Sequence, residues 1–434
     1  MRKKTAVLFL LCILLCTVLG GQAENSPQAV ISGYGNGSAF QDTHEDITRD
    51  LILMLEHNPT VKALLEKSIR LAKEMNPDPE MNPVSDLESY YDFVDFCYRC
   101  MPWEICPGSE HFSLYDRIDQ GMGCLYFVIN QPLDELAGLG YYHNSLMYHE
   151  PFRSWLVRFL YSSGQFLTTE ASWCEAYYRN AYENPDFHLQ DDTYESPENW
   201  KSFNDFFARR LKDPEKRPIT ARDDESIVIS PADSTPQGLW AIGTDNRIVT
   251  EDTQEPTAVD IKTGNLTDVS VLLEGSAYAN AFGGGQLTHT FLDINDYHRY
   301  HIPVSGTIRE VMLLCQDDAP GGVITWDAEK GRYVQYYSAS FGWQSIETRG
   351  VVIIETDAGG YVAIIPVGMC QVSSVNFEKS IVPGARVEKG DPLGYFLFGG
   401  SDIVMLFSKE LSFEMTAEQS VHLQMGQAYG KIRP

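Results

Sequence analysis

Apolar residues recur at helical spacing through the first half of the chain. One predicted helix starts near Asp46, and its apolar face consists of Ile47, Leu51, Met54 and Leu55. Asn58-Pro59 predicts a second helix start, because asparagine caps helix N-termini and proline fits the first helical position. A further helix is predicted over 152–161, with Phe152, Trp155, Leu156, Phe159 and Leu160 on one side. Residues 46–190 are therefore predicted to form a mainly helical domain.

From Ser226 onward the pattern changes to short runs of β-branched residues bounded by turns. Such runs predict strands at 227–229, 351–354, 361–365, 393–397 and 403–407. The glycine run at 283–285 is interpreted as a turn, since no Lys-Ser/Thr pair follows it as in a phosphate loop. The acidic, proline-containing stretch 191–199 is a plausible linker. The pattern predicts an α+β fold, with a β-rich domain over 198–434.

The segment Phe398-Gly399-Gly400-Ser401-Asp402 separates the last two predicted strands. A two-glycine hairpin turn explains it on its own residues. The alternative is a serine nucleophile whose hydroxyl reaches the preceding carbonyl, because paired glycines give the backbone unusual freedom. Upstream, Asp233 and the histidines His298 and His301 have the residue types of a triad with Ser401. A conventional esterase is disfavoured, since the nucleophile elbow needs glycine where Ile403 stands.

An ordered set of motifs over roughly 198–415 resembles the phosphatidylserine decarboxylase family. The motifs, in chain order, are Phe203-Asn204-Asp205-Phe206-Phe207-Ala208-Arg209-Arg210-Leu211, Arg217-Pro218-Ile219, Ser230-Pro231-Ala232-Asp233, residues 296–307, Val367-Gly368, Lys389-Gly390-Asp391, Leu393-Gly394-Tyr395-Phe396 and Phe398-Gly399-Gly400-Ser401.

The resemblance implies a self-processing enzyme whose cofactor is a pyruvoyl group derived from Ser401. The serine hydroxyl would attack the carbonyl of Gly400, and β-elimination would then split the chain between Gly400 and Ser401. The resemblance gives Asp233 and His301 the roles of acid and base, and His298 a role in substrate binding or decarboxylation. The pyruvoyl carbonyl would form a Schiff base with a substrate amine and accept electrons as carbon dioxide leaves.

Three functions are open at this point. The first is conversion of phosphatidylserine to phosphatidylethanolamine. The second is decarboxylation of a free aromatic amino acid such as tryptophan, because residues 129–178 resemble the extra N-terminal domain of family members with that activity. The third is an unprocessed, non-enzymatic exported binding protein. That alternative arises because Asp402 stands where the family usually has threonine, while Ser234 and Ser373 replace usual glycines. The stretch 382–391 also resembles the barrel-sandwich domains that carry lipoyl groups, which predicts a barrel-sandwich-like element.

Charge narrows the range of partners. The 434 residues carry a formal net charge of −27, which argues against binding to nucleic acid and disfavours electrostatic attachment to anionic lipids. We expect an amine-bearing small molecule or lipid as substrate, and the cleaved chain 401–434 as a bound partner. A homodimer is left open.

The N-terminal residues predict export. A basic start, an apolar run over 6–19 and the small-x-small site at 21–23 make residues 1–23 a signal peptide, with 24–45 as a flexible leader. We therefore expect an exported protein, with membrane association left open. Cys97-x-x-Cys100 and Cys106 are compatible with disulfides or with buried thiols. A zinc site there lacks a convincing fourth ligand, so no metal ligand is assigned.

Overall fold

The computed structural model describes residues 44–101, 120–141, 143–250, 255–261, 264–314, 323–335, 348–368, 374–397 and 400–433, with the backbone alone at 259–261, 264–266, 335 and 400–401. The predicted signal peptide lies outside these residues, as do 24–43 of the predicted leader. Cys106 lies outside them too, so the disulfide cluster stays a prediction. None of the helices in the described ranges is both long enough and apolar enough to span a bilayer.

The first half of the described chain is helical, as predicted. The α-helices are α1 (Asp46–His57), α2 (Pro59–Met75), α3 (Leu87–Arg99), α4 (Gln120–Ile129), α5 (Phe152–Phe166), α6 (Glu175–Glu183) and the short α7 (Phe203–Phe207). Short 3₁₀ helices occupy Asp134–Leu136, Leu146–Tyr148, Glu170–Ser172, Pro185–Phe187, Leu189–Asp191, Pro197–Asn199, Pro214–Lys216, Val269–Val271 and Lys409–Leu411.

The predicted apolar helix faces are buried. In α1, Leu51 and Leu55 enter the core, and α5 buries Trp155, whose indole nitrogen donates to the Ile47 carbonyl of α1 at 2.9 Å. Helix α2 begins at Pro59 as predicted, but the side chain of Asn58 does not cap it. The Asn58 amide instead donates to the Met54 carbonyl at 2.7 Å and so completes the end of α1.

The second half is built from antiparallel strands. In chain order they are β1 (Ile227–Ile229), β2 (Thr235–Ile242), β3 (Ile248–Val249), β4 (Val259–Ile261), β5 (Gly264–Leu266), β6 (Gln286–Phe291), β7 (Arg299–His301), β8 (Gly306–Leu314), β9 (Ile324–Asp327), β10 (Arg332–Gln335), β11 (Arg349–Thr356), β12 (Tyr361–Gly368), β13 (Val375–Phe377), β14 (Arg386–Val387), β15 (Pro392–Phe396), β16 (Gly400–Phe407), β17 (Glu414–Met415) and β18 (Ala428–Lys431). The predicted α+β class is confirmed.

An eight-stranded sheet organises this half, in the order β14-β8-β11-β12-β16-β6-β2-β3. Strand β16 therefore lies inside the sheet, and its side chains alternate between two apolar cores. Ile403, Met405 and Phe407 enter one core, whereas Val404 and Leu406 enter the other. Smaller sheets, β13-β15-β7 and β1-β18-β17, lie on the side of the first core, to which Tyr300, Phe396 and Tyr429 contribute.

The stretch 382–391, which resembles a lipoyl-type hairpin, contains β14, and β15 follows it in a different sheet. Strand β14 pairs with β8, whereas β15 pairs with β13 and β7. In the described part of the chain the large sheet is open, with β14 and β3 at its edges. The barrel-sandwich-like element thus stays a prediction.

A hairpin from the β-rich half, β9–β10, packs into the helical core. The Tyr333 hydroxyl donates to the Met81 carbonyl at 2.7 Å and accepts from the Asn76 amide at 3.0 Å. Gln120 of α4 bonds both backbone groups of Tyr333, at 2.6 and 3.2 Å. The core of the helical region therefore includes a segment that is about 200 residues distant in sequence.

Replacing Tyr333 with phenylalanine should destabilise the protein by about 1–3 kcal/mol, because Asn76 and Met81 would keep buried polar groups without their partner. The measurement is guanidinium unfolding followed by circular dichroism. The control, Tyr161→Phe, removes a hydroxyl from a side chain that is 70% exposed and should change stability by less than about 0.5 kcal/mol. Equal stability of the two variants would contradict the role given to the Tyr333 hydroxyl.

Candidate active site

Ser401 lies at a β-bulge at the beginning of β16. Gly400 pairs with Gly368 of β12, and Asp402 pairs with the adjacent residue Val367, so Ser401 is an extra residue in the ladder. On the other side, Asp402 pairs with Phe291, the last residue of β6. The predicted cleavage site thus lies where an interior strand begins. Gly400 and Asp402 are paired with β12, and Ser401 bulges out between them.

Two histidines lie on β7 and on the turn that precedes it. The amide of Phe396 donates to the His298 carbonyl at 2.9 Å, four residues before Gly400. The amide of His301 donates to the Pro231 carbonyl at 2.7 Å, next to the segment that carries Asp233. Because four residues span at most about 14 Å, these bonds hold His298, His301 and the start of β16 in one region of the fold.

The His301 ring is buried and has a defined tautomer. Its Nδ1 lies 2.9 Å from the Gly390 carbonyl, which can only accept, so Nδ1 carries the proton and Nε2 has the free electron pair. Nε2 lies 3.2 Å from the Tyr297 hydroxyl, which donates to it. Burial lowers the pKa of His301, although the Gly390 hydrogen bond and the charge of Asp233 oppose that effect. His301 is therefore neutral at pH 7, as a general base must be.

Lys389 anchors the turn that supplies the Gly390 carbonyl. Gly390 has a φ of +92°, and an added Cβ would lie 2.7 Å from Ile219, so the position requires glycine. The buried Lys389 ammonium donates to three carbonyls at 2.7–3.1 Å, those of Ala221, Asp224 and Ile227. These contacts fix the orientation of the His301 ring indirectly.

His298 has the same tautomer by the same argument. Its Nδ1 lies 3.0 Å from the Asp296 carbonyl, and its ring stacks on Phe207 of α7 with 3.7 Å between ring centroids. The Asp296 carbonyl also accepts from the buried guanidinium of Arg209 at 2.9 Å. Two of the family motifs thus meet at this histidine, one carrying Phe207 and Arg209 and the other carrying Asp296.

Asp233 is paired with Arg217 and makes no hydrogen bond to the described His301. Its carboxylate accepts from Arg217 Nε at 3.0 Å and from Arg217 Nη2 at 2.5 Å, and it accepts from the Met425 amide at 2.8 Å. Burial alone would lower the pKa of Arg217, but Asp233 outweighs it and raises that pKa. Asp233 therefore acts on His301 through its charge, which favours the protonated imidazole.

Residues after the predicted cut hold several of these groups. His422 Nε2 lies 2.8 Å from the Asp296 carboxylate, whose hydrogen bond raises the pKa of His422. Leu423 and Ser234 exchange two backbone hydrogen bonds of 2.8 Å. Strand β18 pairs with β1, and β16 pairs with β12 and β6. The C-terminal segment is thus part of the framework around Asp233 and the two histidines.

The model of the family described as phosphatidylserine decarboxylase matches residues 203–431, about half of the chain. The chain belongs to this family.

Relatives in the phosphatidylserine decarboxylase family include proenzymes from plants, fungi and bacteria. The chain is 33% identical over 223 residues to phosphatidylserine decarboxylase proenzyme 2 of Oryza sativa subsp. japonica, which covers 51% of this chain and 31% of that protein. Identity to proenzyme 3 of Schizosaccharomyces pombe is 30%, over 49% of this chain and 19% of that protein. The chain thus spans less than a third of these two relatives. Identity to the proenzyme of Brevibacillus brevis is 31%, over 56% of this chain and 84% of that protein.

Some residues of this decarboxylase-family site were not predicted as functional. Arg217 belongs to the motif Arg217-Pro218-Ile219, and an aspartate that is buried, as Asp233 is, needs a counter-charge such as an arginine. Tyr297 lies inside the histidine motif, where its contact with His301 follows only from the fold. His422 carries no signal in the sequence, because the partners it joins are more than a hundred residues apart.

Replacing Arg217 with methionine should destabilise the protein by about 3–5 kcal/mol, because the Asp233 carboxylate would remain buried without its counter-charge. Urea unfolding measures the effect. The double variant Arg217→Met/Asp233→Leu should regain part of the loss, since no unpaired charge remains. As a control, Arg433→Met removes an exposed partner of Glu414 and should change stability by less than about 0.5 kcal/mol. A methionine at 217 as harmless as one at 433 would contradict this role of the pair.

Proposed function

We propose that the protein is a self-processing, pyruvoyl-dependent decarboxylase that converts phosphatidylserine to phosphatidylethanolamine. The observation that carries the proposal is the family match over 203–431. This range contains Gly400-Ser401 and both histidines, whose rings carry the proton on Nδ1. The relatives named above are phosphatidylserine decarboxylase proenzymes, which supports the lipid as substrate.

Processing begins with the Ser401 hydroxyl. His301 Nε2 accepts the hydroxyl proton, and the oxygen attacks the Gly400 carbonyl carbon, so that an ester replaces the peptide bond. Loss of the Ser401 α-proton then expels the Gly400 carboxylate and leaves a dehydroalanine. Water hydrolyses this group and releases ammonia, which leaves a pyruvoyl group at the start of chain 401–434. Asp233 stabilises the imidazolium of His301 through its charge.

The residues around the bulge fit such a prosthetic group. Position 400 is glycine and the ladder is interrupted at 401, so the new chain end starts outside the regular pairing. A pyruvoyl carbonyl supplies an electron sink for the loss of carbon dioxide from an amine substrate. We assign His298 to the substrate carboxylate or to the returning proton. For either role Nε2 first takes up a proton, and the imidazolium then donates through Nε2–H while the Asp296 carbonyl holds Nδ1–H in place.

The finer features extend this proposal. We assign residues 1–23 to an export signal, which N-terminal sequencing of the mature protein tests. The cleaved chain 401–434 stays bound to the larger chain, because its strands β16 and β18 pair with β12, β6 and β1 of the larger chain. Sedimentation of the processed protein tests a homodimer.

The decisive variant is Ser401→Ala, which should remain a single chain and release no carbon dioxide. Intact-mass analysis of the wild type should give two chains, the smaller blocked by a carbonyl at its N-terminus. Ser196→Ala, an exposed serine on a short turn, is the control and should process normally.

Carbon dioxide release identifies the substrate. Phosphatidylserine liposomes are compared with free tryptophan, tyrosine and phenylalanine. Carbon dioxide release from the liposomes supports the proposal. Release from a free aromatic amino acid alone would identify that amino acid as the substrate in place of phosphatidylserine. A wild-type chain that stays whole would reject the enzymatic function in favour of a binding protein.

Self-cleavage should be independent of pH near neutrality and should slow below about pH 6.5, because protonated His301 cannot accept the serine proton. Burial lowers the pKa of His301, so the loss occurs on the acid side of the ordinary histidine value. The rate is measured from gel band intensities after pH jumps of freshly made precursor. His301→Gln should abolish cleavage, whereas His57→Gln, at an exposed position of α1, should keep the profile. A rate that rises toward acid would contradict this assignment.

A further inference from the structure

A buried polar pair lies directly after the predicted cleavage site. His289 Nε2 and Asp402 Oδ1 are 3.2 Å apart, and the two residues are 4% and 1% exposed. Strand alternation places both side chains on the face of the large sheet that also carries Leu287, Val404 and Leu406. Leu287, Val404 and Leu406 are apolar, and the buried Arg349 of β11 lies on the same face, two strands away from Asp402.

The tautomer of His289 differs from that of His298 and His301, the two histidines proposed to act in catalysis. A carboxylate can only accept, so His289 Nε2 carries a proton toward Asp402. In His298 and His301, by contrast, Nε2 has the free electron pair. His289 is thus arranged to hold Asp402.

Asp402 is also the first residue after the bulge. A slip of β16 by one residue would exchange its two faces and move the Asp402 carboxylate into the apolar core that contains Ile403 and Met405. Moving a carboxylate away from its hydrogen-bond donor into apolar surroundings is costly. The His289–Asp402 pair therefore opposes this slip. Since the bulge ends at Asp402, the same pair determines which residue is the extra one.

We propose that His289 and Asp402 are positioning residues for self-cleavage, which lock the register of β16 so that Ser401 occupies the bulge. The inference rests on the proposed function, because it concerns the rate of that cleavage. It also gives a role to the aspartate at a position where the resemblance leads one to expect threonine. The carboxylate points to the face opposite Ile403, where it accepts a hydrogen bond from His289.

The experiment measures precursor cleavage rates well below each variant's unfolding midpoint. Asp402→Leu and His289→Leu should each slow cleavage by about 100-fold, the typical effect of a misplacement near 1 Å. Asp402→Asn keeps an acceptor for His289 and should cleave close to the wild-type rate. Asp357→Leu, which removes an exposed partner of Arg386, is the control and should not alter the rate.

The double variant His289→Leu/Asp402→Leu separates positioning from stability. Two leucines suit the apolar face, so the unfolding midpoint should recover, as it often does when a buried pair is replaced by apolar residues. Cleavage should stay slow, because leucine is equally acceptable on either face of β16 and no longer fixes the register.

Wild-type-like cleavage in the double variant, or in Asp402→Leu, would overturn the inference while leaving the proposed function intact. Cleavage by Asp402→Asn as slow as by Asp402→Leu would overturn it too, since the hydrogen bond would then not be what matters. Failure of the wild-type chain to cleave would instead reject the proposed function itself.

Discussion

The candidate site depends on the backbone pairing of β16 with β12 on one side and β6 on the other. An interior strand cannot shift without breaking two ladders, so the residues at its beginning are held as firmly as the sheet itself. The Ser401 bulge interrupts this regularity at a single residue. A defined bulge at the beginning of a rigid strand suits a reaction in which a side chain must reach the backbone carbonyl of the preceding residue.

Backbone carbonyls, more than carboxylates, orient the two site histidines. Gly390 sets the tautomer of His301, and Asp296 sets that of His298. Each carbonyl belongs to a segment that a buried cation holds, with Lys389 anchoring the turn at Gly390 and Arg209 donating to the Asp296 carbonyl. These cations neutralise no charge on the rings. They fix the peptide groups that the rings contact, and a neutral imidazole with a defined basic nitrogen results.

Much of this arrangement follows from the sequence, because its signals are local. Helical spacing located α1, α2 and α5, and β-branched runs located β1, β11 and β12. The motif order brought Asp233, His298 and His301 together in prediction, and the structure brings their segments into one region. What could not be predicted is long-range. The contact of His422 with Asp296 and the pairing of β14 and β15 in different sheets depend on partners far away along the chain. The Asn58 side chain is a local exception, since it does not cap α2 and instead donates to the Met54 carbonyl of α1.

The packing of the β9–β10 hairpin in the helical core has a consequence for truncation of the chain. Val323 and Tyr333 are buried there against helices, and Trp326 packs beside them. A chain truncated to the half that matches the family would expose these side chains to water as a hydrophobic patch that promotes aggregation. The N-terminal helices therefore shield the apolar side chains of the hairpin from water. Shortening the hairpin together with the helices is the trimming most consistent with keeping the remaining half soluble.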